Sequence, residues 1–150
     1  MWQEMLKNQL LISSVTGWVV AQLLKTIIDC TLNHGFSPER LVGSGGMPSS
    51  HSATVCALVV SSGIRCGAAS TEFALSFVLA AVVMYDAIGV RQETGKQAKL
   101  LNMILEQDLF KLKDQEFEEK LKEFVGHTPL QVFAGAILGI LIALLVNMAY

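Results

Sequence analysis

The stretch that decides the fold is LQVFAGAILGILIALLVNMAY, residues 130–150. It contains no charged residue and matches the roughly 20 apolar residues that a helix needs to cross about 30 Å of hydrocarbon. A second such stretch, LLISSVTGWVVAQLLKTII, occupies residues 10–28. Its single charge, Lys25, lies near its end, where a long side chain can reach the lipid headgroups. Together the two stretches predict an integral membrane protein.

Two further segments resemble membrane spans. SATVCALVVSSGIRC, residues 52–66, is short for a span, so we expect its helix to begin inside the preceding loop. FALSFVLAAVVMYDAIGV, residues 73–90, carries Asp86. The sequence therefore predicts one all-α domain, a polytopic membrane helical bundle of about four spans. In the last span, Gly135 and Gly139 have the four-residue spacing that is typical of close helix–helix contacts.

The composition agrees with a lipid environment. The chain is 52% hydrophobic and 16% charged, with a mean hydropathy of +0.49, whereas an average soluble domain is about 25% charged. A net charge of −2 gives no basic field that would indicate a nucleic-acid partner. The three cysteines lack metal-type spacing, and we expect free thiols. The N-terminus lacks the short apolar core and cleavage site of a signal peptide, so we expect none to be removed.

Two polar segments separate the predicted spans. Residues 33–51, NHGFSPERLVGSGGMPSSH, are so rich in glycine, proline and serine that they predict a shaped loop. Residues 91–127 hold most of the charge. Their apolar residues recur at near-helical spacing, at Leu101, Ile104, Leu105, Leu109 and Leu112. We expect one or two amphipathic helices there, either on the surface of the membrane or protein or as a solvated helical hairpin.

Four spans place both polar segments on the same side of the membrane. Of the eleven basic residues, nine then fall on that side and two on the other. The nine are Lys25, Arg40, Arg91, Lys96, Lys99, Lys111, Lys113, Lys120 and Lys122, and the two are Lys7 and Arg65. Because cytoplasmic loops are enriched in lysine and arginine, we expect the polar segments to face the cytoplasm from an inner-type membrane.

A glycine-rich cluster, GSGGMPSSHS at residues 43–52, precedes the second span. Glycines let backbone amides approach an anion closely. If Ser49 or Ser50 caps the next helix, the positive end of that helix faces the same point. His51, beside such an anion site, is suited to protonate a phosphate leaving group. The alternative is a glycine-rich turn that only caps a span.

Two other clusters share this face. YDAIGVR, residues 85–91, combines an acid that is costly in a span with an arginine able to hold phosphate bidentately. KEFVGHTP, residues 122–129, places His127 at the start of the last span, with Pro129 in its first turn. Ordinary interfacial residues are the alternative for both clusters. Their convergence with the glycine-rich cluster in a small protein favours a functional site over unrelated interfacial residues.

These three motifs, in this order, resemble the divergent branch of the type 2 phosphatidic acid phosphatase family, which is related to acid phosphatases and vanadium-dependent haloperoxidases. In the parent superfamily one histidine attacks phosphorus and a second protonates the leaving oxygen. Lysine and arginine hold the phosphoryl oxygens, and no metal or other cofactor is required. The resemblance implies that His127 is the nucleophile and His51 the general acid. It implies a phosphate-binding set of Lys25, Gly46, Ser49 and Ser50.

The chain departs from the parent third motif at two positions. The parent has an arginine six residues before the nucleophile and an aspartate four residues after it, where this chain has Leu121 and Gln131. We hypothesise that Arg91 supplies the missing cation, with Lys122 as a second candidate. Asp86 would then replace the carboxylate that orients the nucleophile, as an acid orients histidine in hydrolase triads. The Arg-Pro of the parent first motif is also absent.

The resemblance implies a membrane phosphatase that acts through a phosphohistidine intermediate. Its substrate would be a lipid phosphate, a (poly)prenyl or other pyrophosphate, or a phosphorylated small molecule. Since the parent membrane enzymes have six spans, completion of the site by a second subunit in a homodimer is a further expectation. The alternative function is a non-catalytic membrane protein that binds anions or lipids at a degenerate site, which Gln131 and the missing Arg-Pro favour.

Overall fold

A computed structural model describes residues 2–33, 46–106 and 127–150, and these ranges are helical apart from short turns, with no strand among them. The helices are α1 (Trp2–Met5), α2 (Gln9–Asn33), α3 (Ser50–Cys66), α4 (Thr71–Ile88), α5 (Val90–Glu106) and α6 (Pro129–Ala149). The predicted all-α membrane bundle is confirmed. Most of the predicted loop and the segment that contains Lys122 lie outside the described residues.

Three segments of the described chain are long and apolar enough to cross a membrane: Gln9–Thr31, Thr71–Ile104 and Pro129–Ala149. The remaining predicted span, α3, has 17 residues, which is about 25 Å at 1.5 Å per residue. It begins at Ser50, inside the polar cluster, as its short apolar stretch predicted. Large apolar side chains such as Leu75, Val78 and Phe133 are exposed on the outer helices. In a membrane these surfaces contact lipid.

The central helix is α3, which packs against α2, α4 and α6. Its closest neighbour is α6, because a Cβ atom at Gly135 would overlap the carbonyl oxygen of Ser49, and one at Gly139 that of Ala53. The two contacts advance together along both helices, so α3 and α6 run parallel. The close approach predicted from the spacing of Gly135 and Gly139 is therefore confirmed.

The other two neighbours of α3 run antiparallel to it. Ser13 and Ser61 share a hydrogen bond of 2.8 Å at one end of the α2–α3 pair, and Gly46 contacts Lys25 at the other end. Between α3 and α4, the hydroxyl groups of Ser62 and Ser76 share a hydrogen bond of 2.7 Å. As a result, the C-terminal ends of α2 and α4 and the N-terminal ends of α3 and α6 meet at one end of the bundle.

The opposite end of the bundle is joined by a polar network. The side-chain amide of Asn147 donates to Ser61 Oγ at 2.8 Å, and Arg65 Nε donates to Asn147 Oδ1 at 3.1 Å. Hydrogen bonds of this kind hold membrane helices together without a contribution from the hydrophobic effect. This network fixes the register of α2, α3 and α6 far from the polar motifs.

The amphipathic helix predicted after the third span is confirmed for residues 90–106, which form α5. It follows α4 after Gly89, whose N–H donates to the Tyr85 carbonyl at 2.8 Å. Three residues at helical spacing are buried, Gly95, Ala98 and Asn102, whereas Leu101 is half exposed. The described stripe that is buried in the protein is thus made of small and polar residues, and Leu101 is left to face the surroundings.

Candidate functional site

Two helices begin side by side at the end of the bundle where the motifs meet. Ser49 is the N-cap of α3, where its Oγ accepts from the N–H of Ser52 at 3.3 Å. Thr128 is the N-cap of α6, and Pro129 is the first residue of that helix. The capping role predicted for Ser49 or Ser50 is confirmed for Ser49. Because α3 and α6 are parallel neighbours, the positive ends of their dipoles lie together.

The two histidines meet between these helix starts. His51 is the second residue of α3, and His127 directly precedes the cap of α6. Their ring centroids are 5.9 Å apart, with an angle of 63° between the ring planes, so one ring presents its edge to the other. His127 is 2% exposed, and His51 Nδ1 and His127 Nε2 are both buried atoms. The structure therefore brings the two imidazoles that were predicted to be catalytic into contact with each other.

His127 is held from two sides. Its backbone N–H donates to the carbonyl of Ala87, near the end of α4, at 3.1 Å. Its ring Nδ1 lies 3.2 Å from Gln131 Oε1, one turn into α6. These contacts fix both the position of the backbone and the plane of the imidazole.

Gln131 connects the two helix starts. Its Oε1 accepts from the N–H of Thr128 at 3.1 Å, and this completes a capping box with the Thr128 side chain. Its backbone carbonyl accepts from the N–H of Ser49 at 3.0 Å. The comparison of motifs identified Gln131 only as the position of a missing acid. Thr128 followed by Gln131 is a capping-box pattern. This pattern is the sequence signal that could have placed the Gln131 side chain beside His127.

The turn before α3 packs against the side chain of Lys25. Gly46 has a φ of +84°, a conformation that L side chains rarely adopt. A Cβ atom there would lie 3.1 Å from both Cγ and Cδ of Lys25. The lysine is 2% exposed, so its aliphatic stem is enclosed against the glycine turn. A buried ammonium in a membrane protein requires polar or anionic partners, which is typical of a functional position.

The two serines of the motif are buried. The Oγ of Ser49 also accepts from the hydroxyl of Ser52 at 3.1 Å, so this oxygen serves the helix cap. Ser50, 5% exposed, is the first residue of α3. The first turn of a helix has backbone N–H groups with no intrahelical acceptor, and these are the donors suited to an anion.

The other predicted residues are located less fully. Asp86 directly precedes Ala87 and is partly exposed, where it lines an outward-facing groove with Val82, Tyr85 and Val90. Arg91 is the second residue of α5, but its side chain is not among those described, and Lys122 lies outside the described residues. The roles of all three remain predictions. Within residues 2–33, 46–106 and 127–150, no group of three or more His, Cys, Asp or Glu residues is placed to hold a metal ion.

An apolar cavity of about 160 Å³ opens between α3, α4 and α6. Its lining consists of Cys56, Val59, Val60, Phe77, Ala80, Ala81, Met84 and Ile140. Cys56 follows His51 by five residues, which is about 7.5 Å along a helix. The cavity therefore begins about one and a half helical turns from the histidine pair, toward the middle of the bundle.

Comparison with known proteins agrees with this arrangement. The sequence matches the Divergent PAP2 family over residues 6–142, a range that contains all three polar motifs. It is also 37% identical to the "Uncharacterized membrane protein YuiD" of Bacillus subtilis (strain 168), over 94% of this chain and 95% of that protein. No solved structure matches the chain. The match includes the starts of α3 and α6, where His51 and His127 lie. The chain is therefore a membrane protein that belongs to the Divergent PAP2 family.

Proposed function

We propose that the protein is a membrane phosphatase that hydrolyses a lipid phosphate, or a (poly)prenyl or other pyrophosphate, through a phosphohistidine. The observation that carries the proposal is the 5.9 Å separation of the His51 and His127 rings. A nitrogen about 3 Å from phosphorus and a second nitrogen about 3 Å from the leaving oxygen span on the order of 6 Å or a little more. Rings this close together support a reaction in which one imidazole attacks phosphorus and the other protonates the leaving oxygen of the same group.

In the first half of the reaction, Nε2 of neutral His127 attacks phosphorus. An N–P bond forms, and the bond from phosphorus to the leaving oxygen breaks. The protonated His51 gives its proton to that oxygen, so the leaving group departs as a neutral alcohol or a protonated phosphate. The enzyme is left with a phosphorylated His127 and a neutral His51.

In the second half, water replaces the leaving group. Neutral His51 takes a proton from the water as the water oxygen attacks phosphorus, and the N–P bond breaks. Inorganic phosphate is released, His127 is again neutral, and His51 again carries a proton. The two histidines therefore return to their starting states after one hydrolysis.

The surroundings of the pair favour a negatively charged group. Two helix N-termini point at the same place, and each contributes a partial positive charge of roughly half an elementary unit. Lys25 is enclosed against Gly46, at the turn that leads into α3. We assign to Lys25 and to the backbone N–H groups of Gly46 and Ser50 the binding of the phosphoryl oxygens, since the Ser49 N–H already donates to the Gln131 carbonyl. Arg91 and Lys122 are additional candidates from the sequence.

The apolar cavity supports a substrate with a hydrocarbon chain. Its lining comes from the membrane-embedded parts of α3, α4 and α6, whereas the histidines lie at the end of the bundle. A lipid with its phosphate at the histidines would direct its chain toward this cavity. This arrangement favours a lipid-linked phosphate over a soluble one.

The test is phosphate release by the purified protein in lipid nanodiscs, from lipid phosphates and prenyl pyrophosphates of short and long chain. We expect turnover by the wild type and a loss of about 1,000-fold or more in His127→Ala, which removes the nucleophile. His51→Ala should lose about 100-fold or more, and less with a good leaving group such as p-nitrophenol, which needs little protonation.

The control is Ser13→Ala, which removes a hydrogen bond to Ser61 at the opposite end of the bundle and should leave turnover within about twofold. Binding of vanadate or phosphate without turnover of any substrate would instead support the non-catalytic anion-binding alternative. Equal rates in the wild type and His127→Ala would contradict the proposed chemistry.

A further inference from the structure

Gln131 determines which nitrogen of His127 carries the proton. The oxygen Oε1 is identified by its second contact, because the backbone N–H of Thr128 can only donate and must face an acceptor. The 3.2 Å contact between that oxygen and His127 Nδ1 is a hydrogen bond only when Nδ1 is protonated. In the neutral ring the lone pair is then on Nε2, a buried atom of the ring that meets His51.

We propose that Gln131 is the positioning residue of the site, which fixes the Nδ1–H tautomer of His127 through an uncharged amide. Its other contacts make this position rigid, since the same side chain closes the capping box of α6 and its carbonyl holds the cap of α3. The plane of the imidazole is therefore tied to the packing of the two helices that carry the histidines.

An amide in this position has an electrostatic consequence. A carboxylate at Nδ1 would stabilise the imidazolium form and add a negative charge beside the phosphate, whereas an amide accepts the same hydrogen bond without either effect. Gln131 therefore accepts the Nδ1–H hydrogen bond of His127 without placing a negative charge beside the anionic substrate. This consequence rests on the proposed function, but the tautomer itself does not.

The tautomer can be read directly by ¹⁵N NMR of ring-labelled histidine in nanodiscs, with the His127 signals assigned by comparison with His127→Ala. In the wild type near neutral pH we expect Nδ1 of His127 to be protonated and Nε2 to be unprotonated. In Gln131→Leu the ring should shift toward the Nε2–H tautomer that free histidine prefers. Gln131→Glu should retain the protonated Nδ1, which keeps the inference testable if the leucine variant folds poorly.

Two controls separate positioning from other effects. Thr128→Ala removes the other half of the capping box but keeps Gln131 beside the ring. Asp86→Asn tests the sequence-based hypothesis that Asp86 orients His127. We expect the wild-type tautomer in both variants. A shift in Asp86→Asn, no shift in Gln131→Leu, or an Nε2–H wild type would each overturn the inference.

Kinetics provide the second readout if phosphate is released. Gln131→Leu should lower kcat about 100-fold or more, as loss of the correct tautomer does in hydrolase triads, with little change in KM. Gln131→Glu should raise KM and move the acid limb of the pH–rate profile up by about one unit, because the added charge favours the imidazolium. Among the described residues, the charged and titratable groups at this end of the bundle include His51, Lys25 and Asp86, and these are the same in both variants.

An unchanged profile in Gln131→Glu would contradict the electrostatic part of the inference. If the predicted tautomers were observed but no substrate were hydrolysed, the positioning role would stand and the proposed function would fail. The two claims are therefore tested separately.

Discussion

At the scale of single residues, the two imidazoles of the candidate site come from the starts of α3 and α6. The motifs indicated His51, His127 and the glycine turn, and the structure brings the two rings to 5.9 Å. Gln131 was recognised only as a departure from the parent motif, because its contact with His127 depends on a side chain that folds back over the first turn of α6. The sequence signal for this local rotamer is the capping-box spacing of Thr128 and Gln131, and not the spacing of the phosphatase motif.

The surroundings of Gly46 were also predicted only in part. Glycine at this position suggested a close approach of the backbone to an anion, but the structure adds the stem of Lys25 as its neighbour. These residues are 21 positions apart in the sequence, and no periodicity relates them. Their contact follows from the antiparallel packing of α2 against α3.

Replacement of Gly46 by alanine should therefore affect both stability and activity. The positive φ costs a residue with a Cβ atom about 1 kcal/mol, and the new methyl group must displace the Lys25 side chain. We expect a fall in kcat/KM of about tenfold or more, measured with the same phosphate-release assay, together with a lower thermal unfolding temperature.

The matched control for Gly46→Ala is Gly67→Ala. Gly67 has a φ of +87°, but nothing lies within 4 Å of a Cβ atom added there, and it caps α3 at the other end of the bundle. Gly67→Ala should therefore show a loss of stability similar to that of Gly46→Ala, with a nearly unchanged kcat/KM. Equal losses of activity in both variants would mean that backbone strain, and not displacement of Lys25, accounts for the effect.

At the scale of helices, apolar length and small-residue spacing predicted most of what is observed. The start of α3 inside the polar loop and a close helix contact at Gly135 and Gly139 both followed from the sequence, whereas the identity of α3 as the partner helix comes from the structure. The buried stripe of α5 did not, because a leucine on a membrane protein can face either lipid or protein. Hydrophobicity alone does not distinguish these two environments.

The apolar cavity gives a prediction at the same scale. Ala81→Phe on α4 should fill part of the cavity that we assign to the hydrocarbon chain of the substrate. We expect the kcat/KM for a long-chain lipid phosphate to fall about tenfold because its KM rises. The kcat/KM for a short-chain analogue should change less than twofold. Competition between the two substrates in one vesicle preparation measures this ratio directly.

Ala74→Phe is the control for this prediction. Ala74 is exposed on the same helix and does not line the cavity, so the added ring should contact lipid and leave the preference for chain length unchanged. If both variants changed the preference equally, or if neither did, the cavity would not be the site of the chain.

At the scale of the whole molecule, the sequence predicted a membrane bundle with its polar motifs at one end, and the described helices have this arrangement. Membership of the Divergent PAP2 family explains why three separate motifs occur in this order. The pairing of His51 with His127 is a contact across 76 positions. Composition and periodicity do not reveal such a contact, and the resemblance to the family was needed to predict it.

The central claim is that His127 becomes phosphorylated during turnover, and trapping of that intermediate tests it most directly. The protein in nanodiscs is mixed with a ³²P-labelled substrate, quenched in alkali within milliseconds to seconds, and analysed by peptide mapping. We predict a base-stable, acid-labile phosphoryl group on His127 that decays to inorganic phosphate as fast as turnover and is missing in His127→Ala. Steady phosphate release with no label on His127, or with a label on another residue, would contradict the account.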